Sequence, residues 1–317
     1  MQFGLSAPSR GPLSNPADIR AIAEAAERLG FSYLTVSDHI LCPRSIDAKY
    51  PYSETGDFPW TADGNGDCME QFTLLAWLAA ATKTLRLLSS VVVVPHRNPL
   101  FMAKSIATMD VLSGGRISIG CGTGWMREEF EALGIAPFEK RGQVTDEYIG
   151  AMKALWTQEN PSYDGEFVKF RDIIFDPKPV QKPHPPLWIG GESGPAMRRV
   201  AAVGDVWYPF SSNPKFRLAS ADAYRERSQR VKQAVAEAGR DPDAVGLAYN
   251  SAYHSETAKQ MDGARIAMTG TAEQRAGDVR AFADAGMQIM IVNVTSNDRA
   301  EMLERMERFS AEVMPLV

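Results

Sequence analysis

Glycine recurs at every second position in Gly120-Cys121-Gly122-Thr123-Gly124, directly after the alternating run Arg116-Ile117-Ser118-Ile119. A short buried strand that ends in positions without side chains suits a flat or phosphorylated ligand lying against the backbone. A tight strand-to-helix turn with no ligand accounts for the same glycines. The dinucleotide fingerprint is excluded, because Trp125 stands where that pattern needs its last glycine. Asp38-His39 offers different chemistry, since imidazole titrates near neutrality and can donate or hold a proton. An ordinary hydrogen-bonded histidine is the alternative there. A third candidate is Gly190-Gly191-Glu192-Ser193-Gly194, followed by Pro195 at a helix start. Free N–H groups and the positive dipole end of that helix would hold a phosphate, with the Ser193 hydroxyl as a further donor. A glycine turn that merely re-aims the chain is the plain alternative. Cys121 reads as small packing, because nothing nearby marks a low-pKa thiol. Trp125 and Met126 read either as walls for an aromatic ligand or as core.

The elements that carry these residues alternate. Phe3–Ala7 reads as a strand, and Asn15-Pro16 caps a helix whose apolar face is Ile19, Ile22, Ala23, Ala26 and Leu29. Tyr33–Val36 is the second strand and delivers Ser37-Asp38-His39 at its C-terminal end. Leu41–Asp67 is turn-rich and aperiodic but holds Tyr50, Tyr52, Phe58 and Trp60, which favours a lid over a passive surface excursion. A helix follows over about 69–82. Leu85–Val94 is then an apolar strand of the kind buried on both faces in a parallel sheet, and it contains Ser90-Val91. Asn98-Pro99 starts the next helix, Ser113-Gly114-Gly115 ends it, and the glycine-rich fourth strand follows.

Beyond it, Glu128–Leu133 and Asp146–Trp156 read as helices with Arg141-Gly142 in a loop between them. Asn160–Pro186 reads as an insertion, with a small hairpin within Glu166–Phe175. Leu187–Ile189, Asp205–Tyr208, Val245–Tyr249 and Ile289–Val294 are strands five to eight. Helices to about 203, over Ala221–Ala238, Ala272–Ala285 and Arg299–Val313 alternate with them. Eight strands alternating with helices predict a single α/β domain, a (β/α)8 TIM barrel over residues 1–317 with insertions after strand two and before strand five. In such barrels ligands sit at the C-terminal strand ends, which is where Asp38-His39, Gly122–Gly124 and Gly190–Ser193 fall. A barrel phosphate site more often follows strands seven and eight.

Composition sets the outer limits. The chain has 317 residues, 44% hydrophobic and 23% charged, which suits one barrel of ordinary globular protein. A net charge of -5 without any run of Lys or Arg argues against nucleic acid as a partner. Cys42, Cys68 and Cys121 are widely spaced and odd in number, as expected in a reducing cytoplasm. No basic, apolar leader precedes Phe3, and no apolar run suffices to span a bilayer, so a cytoplasmic protein without a membrane partner is expected. His39, His96, His184 and His254 show no metal-ligand spacing, and no metal is expected.

The chain resembles the luciferase-like monooxygenase family, and within it the branch assigned the deazaflavin coenzyme F420. The likeness rests on Ser37-Asp38-His39, Ser113-Gly114-Gly115-Arg116, and the run from Gly120 through Glu128-Glu129-Phe130-Glu131-Ala132-Leu133-Gly134. It continues through Arg141-Gly142, Asp146-Glu147, Asp176-Pro177-Lys178-Pro179-Val180-Gln181, Trp188-Ile189-Gly190-Gly191, Gly204-Asp205 and Thr269-Gly270-Thr271.

That resemblance implies that Asp38 and His39 face the reactive ring of a flavin or deazaflavin. It implies a strained non-proline cis peptide at Ser90-Val91 supporting the ring's back face, Gly122, Thr123 and Gly124 near the cofactor, and Gly190, Gly191, Glu192 and Ser193 near its phosphate. Lys215, Arg217 and Arg265 are candidates by position for the anionic deazaflavin tail. Two departures stand out: Leu41-Cys42-Pro43 lacks the tryptophan, and Trp125 replaces the glutamate, of some deazaflavin dehydrogenases. Both speak against a sugar-phosphate dehydrogenase.

The expected function is hydride transfer between F420 and a small organic substrate. The alternatives are a monooxygenase using reduced FMN, fed by a separate NAD(P)H-dependent cofactor reductase, and a catalytically silent flavin-binding barrel. A non-redox phosphate-ligand barrel is less well supported, since no catalytic Lys or paired carboxylate marks the strand ends. A homodimer is expected from the resemblance.

Overall fold

The computed structural model describes residues 1–59 and 67–317. In chain order it contains β1 Gln2–Ser6, α1 Pro16–Arg28, β2 Tyr33–Val36, α2 Gln71–Ala81, β3 Arg86–Val93, α3 Pro99–Ser113 and β4 Ile117–Gly122. These are followed by α4 Arg127–Leu133, α5 Arg141–Thr157, β5 Tyr163–Asp164, β6 Lys169–Phe170, β7 Leu187–Gly190, α6 Gly194–Val203, β8 Val206–Tyr208 and α7 Ala221–Glu237. The last elements are β9 Gly246–Asn250, β10 Gln260–Met261, β11 Ala264–Arg265, α8 Ala272–Asp284, β12 Ile289–Val292 and α9 Arg299–Arg308.

Eight of these strands close a parallel barrel in the order β1-β12-β9-β8-β7-β4-β3-β2, with helices between successive barrel strands. This is the (β/α)8 architecture expected from the alternation. The caps read from sequence work locally. Asn15 Oδ1 accepts from Asp18 N at 3.1 Å, and Asn98 Oδ1 from Leu100 N at 3.0 Å, each ahead of a proline at the first helical turn. Inside the barrel, Tyr33, Leu88, Trp188, Val206, Tyr208, Ala248, Ile289 and Ile291 form a packed plug, with Trp188 5.2 Å from Tyr33 and 5.3 Å from Tyr208 between ring centres. The outward strand faces bury Leu34, Leu87, Ile119 and Ile189 against the helices, so strands are apolar on both sides. The open C-terminal mouth is left as the place for chemistry.

Several boundaries differ from the sequence expectation for identifiable reasons. The hairpin lies at 163–170, earlier than Glu166–Phe175, because Glu147 of α5 takes the N–H groups of Glu166, Phe167 and Val168 at 2.8, 2.6 and 2.6 Å and so fixes the turn there. Helix α5 begins at Arg141 rather than Asp146. Arg199 donates to Gly142 O and to Asp146, and the Arg141 guanidinium lies 3.9 Å from the Phe138 ring centre, which holds the Arg141-Gly142 turn helical. Strand β4 runs on through Gly120 to Gly122 instead of turning at the glycines. The β10–β11 hairpin has a sequence signal in Asp262-Gly263, both at positive φ of 51° and 79°.

Candidate active site

Strand β4 extends through its glycines because of what its neighbour does. The Ser90–Val91 peptide bond of β3 is cis, and the β3–β4 register shifts between Ser89 and Val92. A Cβ on Gly120 would stand 2.2 Å from Ser89 O, and one on Gly122 would stand 2.5 Å from Val91 Cγ2. Both glycines are therefore required by the bulged strand, which fills part of the space that the sequence alone suggests for a ligand. Gly190 on β7 lies on the other flank of Val91, where a Cβ would be 3.1 Å from its Cγ1. Cys121 is buried, and burial pushes its thiol up to about 12, in keeping with a packing role.

At the end of β2, Asp38 and His39 point to different partners. Both Asp38 oxygens are held: Oδ2 accepts from Arg97 Nη1 at 2.8 Å and Val93 N at 2.9 Å, and Oδ1 accepts from Arg97 Nη2 at 2.8 Å. The pair is buried, so the carboxylate ties β2 to the end of β3. His39 Nδ1 lies 2.7 Å from Glu129 Oε2, and Glu129 Oε1 accepts from Ile40 N at 2.8 Å. Burial raises the Glu129 pKa, but the His39 hydrogen bond, the His39 and His96 charges and the Ile40 N–H outweigh it, and the carboxyl stays below its usual range. The Glu129 carboxylate accepts the Nδ1–H of His39, which leaves Nε2 as the ring nitrogen that can exchange a proton. His96 packs edge-on against Phe130 with ring centres 4.8 Å apart, and burial pulls its imidazole down to about 4, so it is neutral at pH 7.

The segment after His39 covers this pair. Tyr50, Phe58 and Trp125 form a triangle with centre separations of 5.0–5.2 Å, and Phe58 lies 5.2 Å from the His39 ring. Tyr52 reaches across the mouth to Phe210, 5.2 Å away, beyond β8. Glu128 fixes one side by accepting from Asp47 N at 2.7 Å and Ala48 N at 3.0 Å. The other side is fixed by Ser212 Oγ on Tyr52 O and by an Arg217–Glu54 ion pair. Trp125 is thus part of the cover and Met126 is buried core. Trp60 lies outside the described residues.

On the opposite wall, Tyr208 Oη lies 2.9 Å from both Ser90 Oγ and Asn250 Nδ2. Ser90, Asn250, Ser6, Phe210 and Asn293 line a cavity of about 220 Å³ at the mouth. The loop after β7 is held more tightly than its sequence suggests. Glu192 is buried, with Oε1 accepting from Phe210 N at 2.6 Å and Oε2 from Asn213 Nδ2 at 2.8 Å. Its desolvation raises the carboxyl to about 7. Ser193 is the N-cap of α6 and accepts from Ala196 N at 3.5 Å, while Pro195 has no N–H to offer. Gly191 has φ +109° and packs its backbone near Ala196. Thr123 and Gly124 follow β4, and Gly124 O accepts from Arg141 Nε at 3.2 Å. Of the distant basic residues, Arg217 pairs with Glu54 and Asp262, and Arg265 grips Asp278 at 2.8 and 2.5 Å.

The structure therefore brings His39 together with Glu129, and Ser90 with Tyr208 and Asn250, while the carboxylates of Asp38 and Glu192 are turned into protein contacts. Arg97, His96, Glu129, Tyr208 and Asn250 were not singled out by sequence. Only Glu129 had a signal, as part of the quoted Glu128-Glu129-Phe130 run.

Comparison with known proteins adds the following. A family model described as luciferase-like monooxygenase matches residues 1–311. An uncharacterized protein of Mycobacterium tuberculosis is 41% identical over 188 residues, covering 59% of this chain and 65% of that protein. The FMNH2-dependent dimethylsulfone monooxygenase of Pseudomonas putida is 33% identical over 196 residues, covering 61% of this chain and 48% of the enzyme. The match thus spans less than two thirds of either relative. The solved structure of an F420-dependent secondary alcohol dehydrogenase, in complex with an F420-acetone adduct, has a TM-score of 0.77 at 19% identity, with 100% of this chain and 98% of that one covered. This last likeness is one of fold.

Proposed function

The chain belongs to the luciferase-like monooxygenase family, and we propose that it is an oxidoreductase moving a hydride between coenzyme F420 and a small organic substrate. The observation that carries the reading is the buried His39–Glu129 pair under an aromatic cover at the barrel mouth. A deazaflavin has carbon where a flavin has its N5 nitrogen, so when bound it supplies hydride transfer and reacts poorly with oxygen. His39 Nε2 takes up or returns the proton that accompanies the hydride, with Glu129 fixing the tautomer and stabilising the imidazolium. Asp38, through Arg97 and Val93 N, positions the strand end that carries His39. The Tyr50, Tyr52 and Phe58 cover excludes water.

The residues present fit a flavin-type ring. Ser90, Tyr208 and Asn250 give the cavity a hydrogen-bonding edge beside an apolar wall of Val292 and Phe210. At about 220 Å³ it is smaller than the ~300–1,000 Å³ typical of ligand pockets, so it would hold part of the ring and not the whole cofactor. In this reading Val91, Gly122, Thr123 and Gly124 would flank the ring, and Gly190, Gly191, Glu192 and Ser193 would hold a cofactor phosphate.

The kinship with the FMNH2-dependent enzyme favours a second reading, a monooxygenase that receives reduced FMN from a separate NAD(P)H-dependent reductase. Equilibrium titration separates the two. Coenzyme F420 is expected to bind at least tenfold more tightly than FMN, about 1.4 kcal/mol, whereas tighter FMN binding favours the second reading. Ser193→Asp should weaken FMN far more than riboflavin if the β7 loop holds the phosphate; equal weakening removes that assignment.

A further inference from the structure

A second cavity, of about 230 Å³, opens between the loops after β9 and β12 and the flank of α9. It shares Ala252 and Asn293 with the cavity beside Ser90, so the two adjoin across the Asn293 Nδ2 to Ala252 O hydrogen bond of 2.8 Å. His254, Lys259 and Arg305 line it. Lys259 is exposed, and no carboxylate pairs with it among the described residues. The His254 Nδ1 atom is buried without a hydrogen-bond partner there.

The surrounding charge has one sign in excess. Arg305 pairs with Glu301 at 2.6 Å, and Arg308 pairs with Glu256 at 2.8 Å and Glu312 at 3.4 Å. Arg275 is almost wholly buried, its Nε and Nη1 have no hydrogen-bond partner among the described residues, and Glu312 lies 3.8 Å away. Lys259 and the three arginines thus face three carboxylates. Burial and the charges of Arg275, Arg305 and Arg308 pull the His254 imidazole down to about 4, which makes it a neutral donor at pH 7.

We propose that this pocket binds an anionic group, a phosphate or carboxylate, carried by a molecule whose other end occupies the adjoining Ser90 cavity. A small cavity with one cation unpaired among the described residues, Lys259, beside the Glu301-bound Arg305 favours a compact oxyanion, and a desolvated imidazole can donate one N–H to it. In the loop after β7, Ser193 Oγ takes the Ala196 N–H and Pro195 lacks an N–H, which leaves the Ser193 hydroxyl as its side-chain donor. Two sources carry the required chemistry: an anionic substrate, or the carboxylate end of the deazaflavin tail. The second source rests on the function proposed above; the oxyanion site itself does not.

The test uses inorganic phosphate and the intact protein without cofactor. Calorimetric titration should give saturable binding, and phosphate should move the His254 imidazole resonances. Lys259→Glu, at an exposed position that tolerates the change, should weaken phosphate at least tenfold, and Lys259→Met should weaken it less. Loss of F420 affinity in Lys259→Glu, with the tail-less deazaflavin ring compound unaffected, assigns the pocket to the tail. Unchanged F420 affinity alongside weakened phosphate assigns it to substrate. Non-saturable phosphate binding, or equal affinity in wild type and Lys259→Glu, overturns the proposal whichever redox cofactor the protein uses.

Discussion

The two flanks of the barrel mouth are built differently. On the β2–β4 flank the two buried carboxylates are held by several donors each, Asp38 by Arg97 and Val93 and Glu129 by His39 and Ile40, beneath Tyr50, Phe58 and Trp125, while both ring nitrogens of the neighbouring His96 have no hydrogen-bond partner among the described residues. On the β9–β12 flank two cavities adjoin, and His254 and Arg275 keep buried nitrogens unmatched. The contrast teaches a division of labour. A proton carrier needs one tautomer and one orientation, which the Glu129 carboxylate enforces on His39 through Nδ1. A ligand needs room and donors held in reserve.

The largest expected effect breaks the first flank chemically. His39→Ala should lower turnover roughly 10²–10⁴-fold while cofactor affinity stays within about tenfold. Normal turnover per bound cofactor, with binding lost, would make His39 a structural residue and erase the contrast. The next effect is on stability. Asp38→Ala leaves Arg97 buried without its main partner and should cost about 3–5 kcal/mol, whereas Lys259→Ala on the open flank should stay within about 0.5 kcal/mol. Chemical denaturation of the two variants compares them; equal losses would show that both flanks are equally braced.

Glu192 sharpens the comparison through pH. Its folded pKa of about 7 lies above the ordinary 4.5, so between these values the folded chain binds more protons than the unfolded one, and stability falls as pH rises. The loss is complete above pH 7 and amounts to roughly 3 kcal/mol at most. Glu192→Gln should remove that slope from urea midpoints measured between pH 5 and 8. Parallel curves for the two proteins would mean that Glu192 ionises freely. The smallest effect concerns the cover. Limited proteolysis should cut within Leu41–Asp67 first and slow a few-fold on addition of F420; cleavage indifferent to ligand would make the segment a passive excursion.

Most of the barrel was legible because its signals are local. Asn15-Pro16 and Asn98-Pro99 announce their helices within four residues, and Leu85–Val94 announces a doubly buried strand by its run of apolar residues. The site was legible in part, because its contacts are not local. His39 meets Glu129 across 90 residues, and Asp38 meets Arg97 across 59. No spacing rule reaches that far. The glycines of β4 show the same limit: what fills the space above Gly120 and Gly122 depends on where β3 bulges, and Val91 supplies the answer only in the folded barrel. Asp262-Gly263 is different, a hairpin signal that is wholly local.

Hydride transfer to or from a deazaflavin is the central claim, and oxygen is its sharpest probe. Purified protein with F420 is incubated with a panel of small alcohols, aldehydes and ketones, and deazaflavin absorbance and dissolved oxygen are followed together. The account predicts a substrate-dependent absorbance change with no oxygen uptake, lost in His39→Ala. Oxygen uptake coupled to product formation with reduced FMN, and an inert F420, would contradict it.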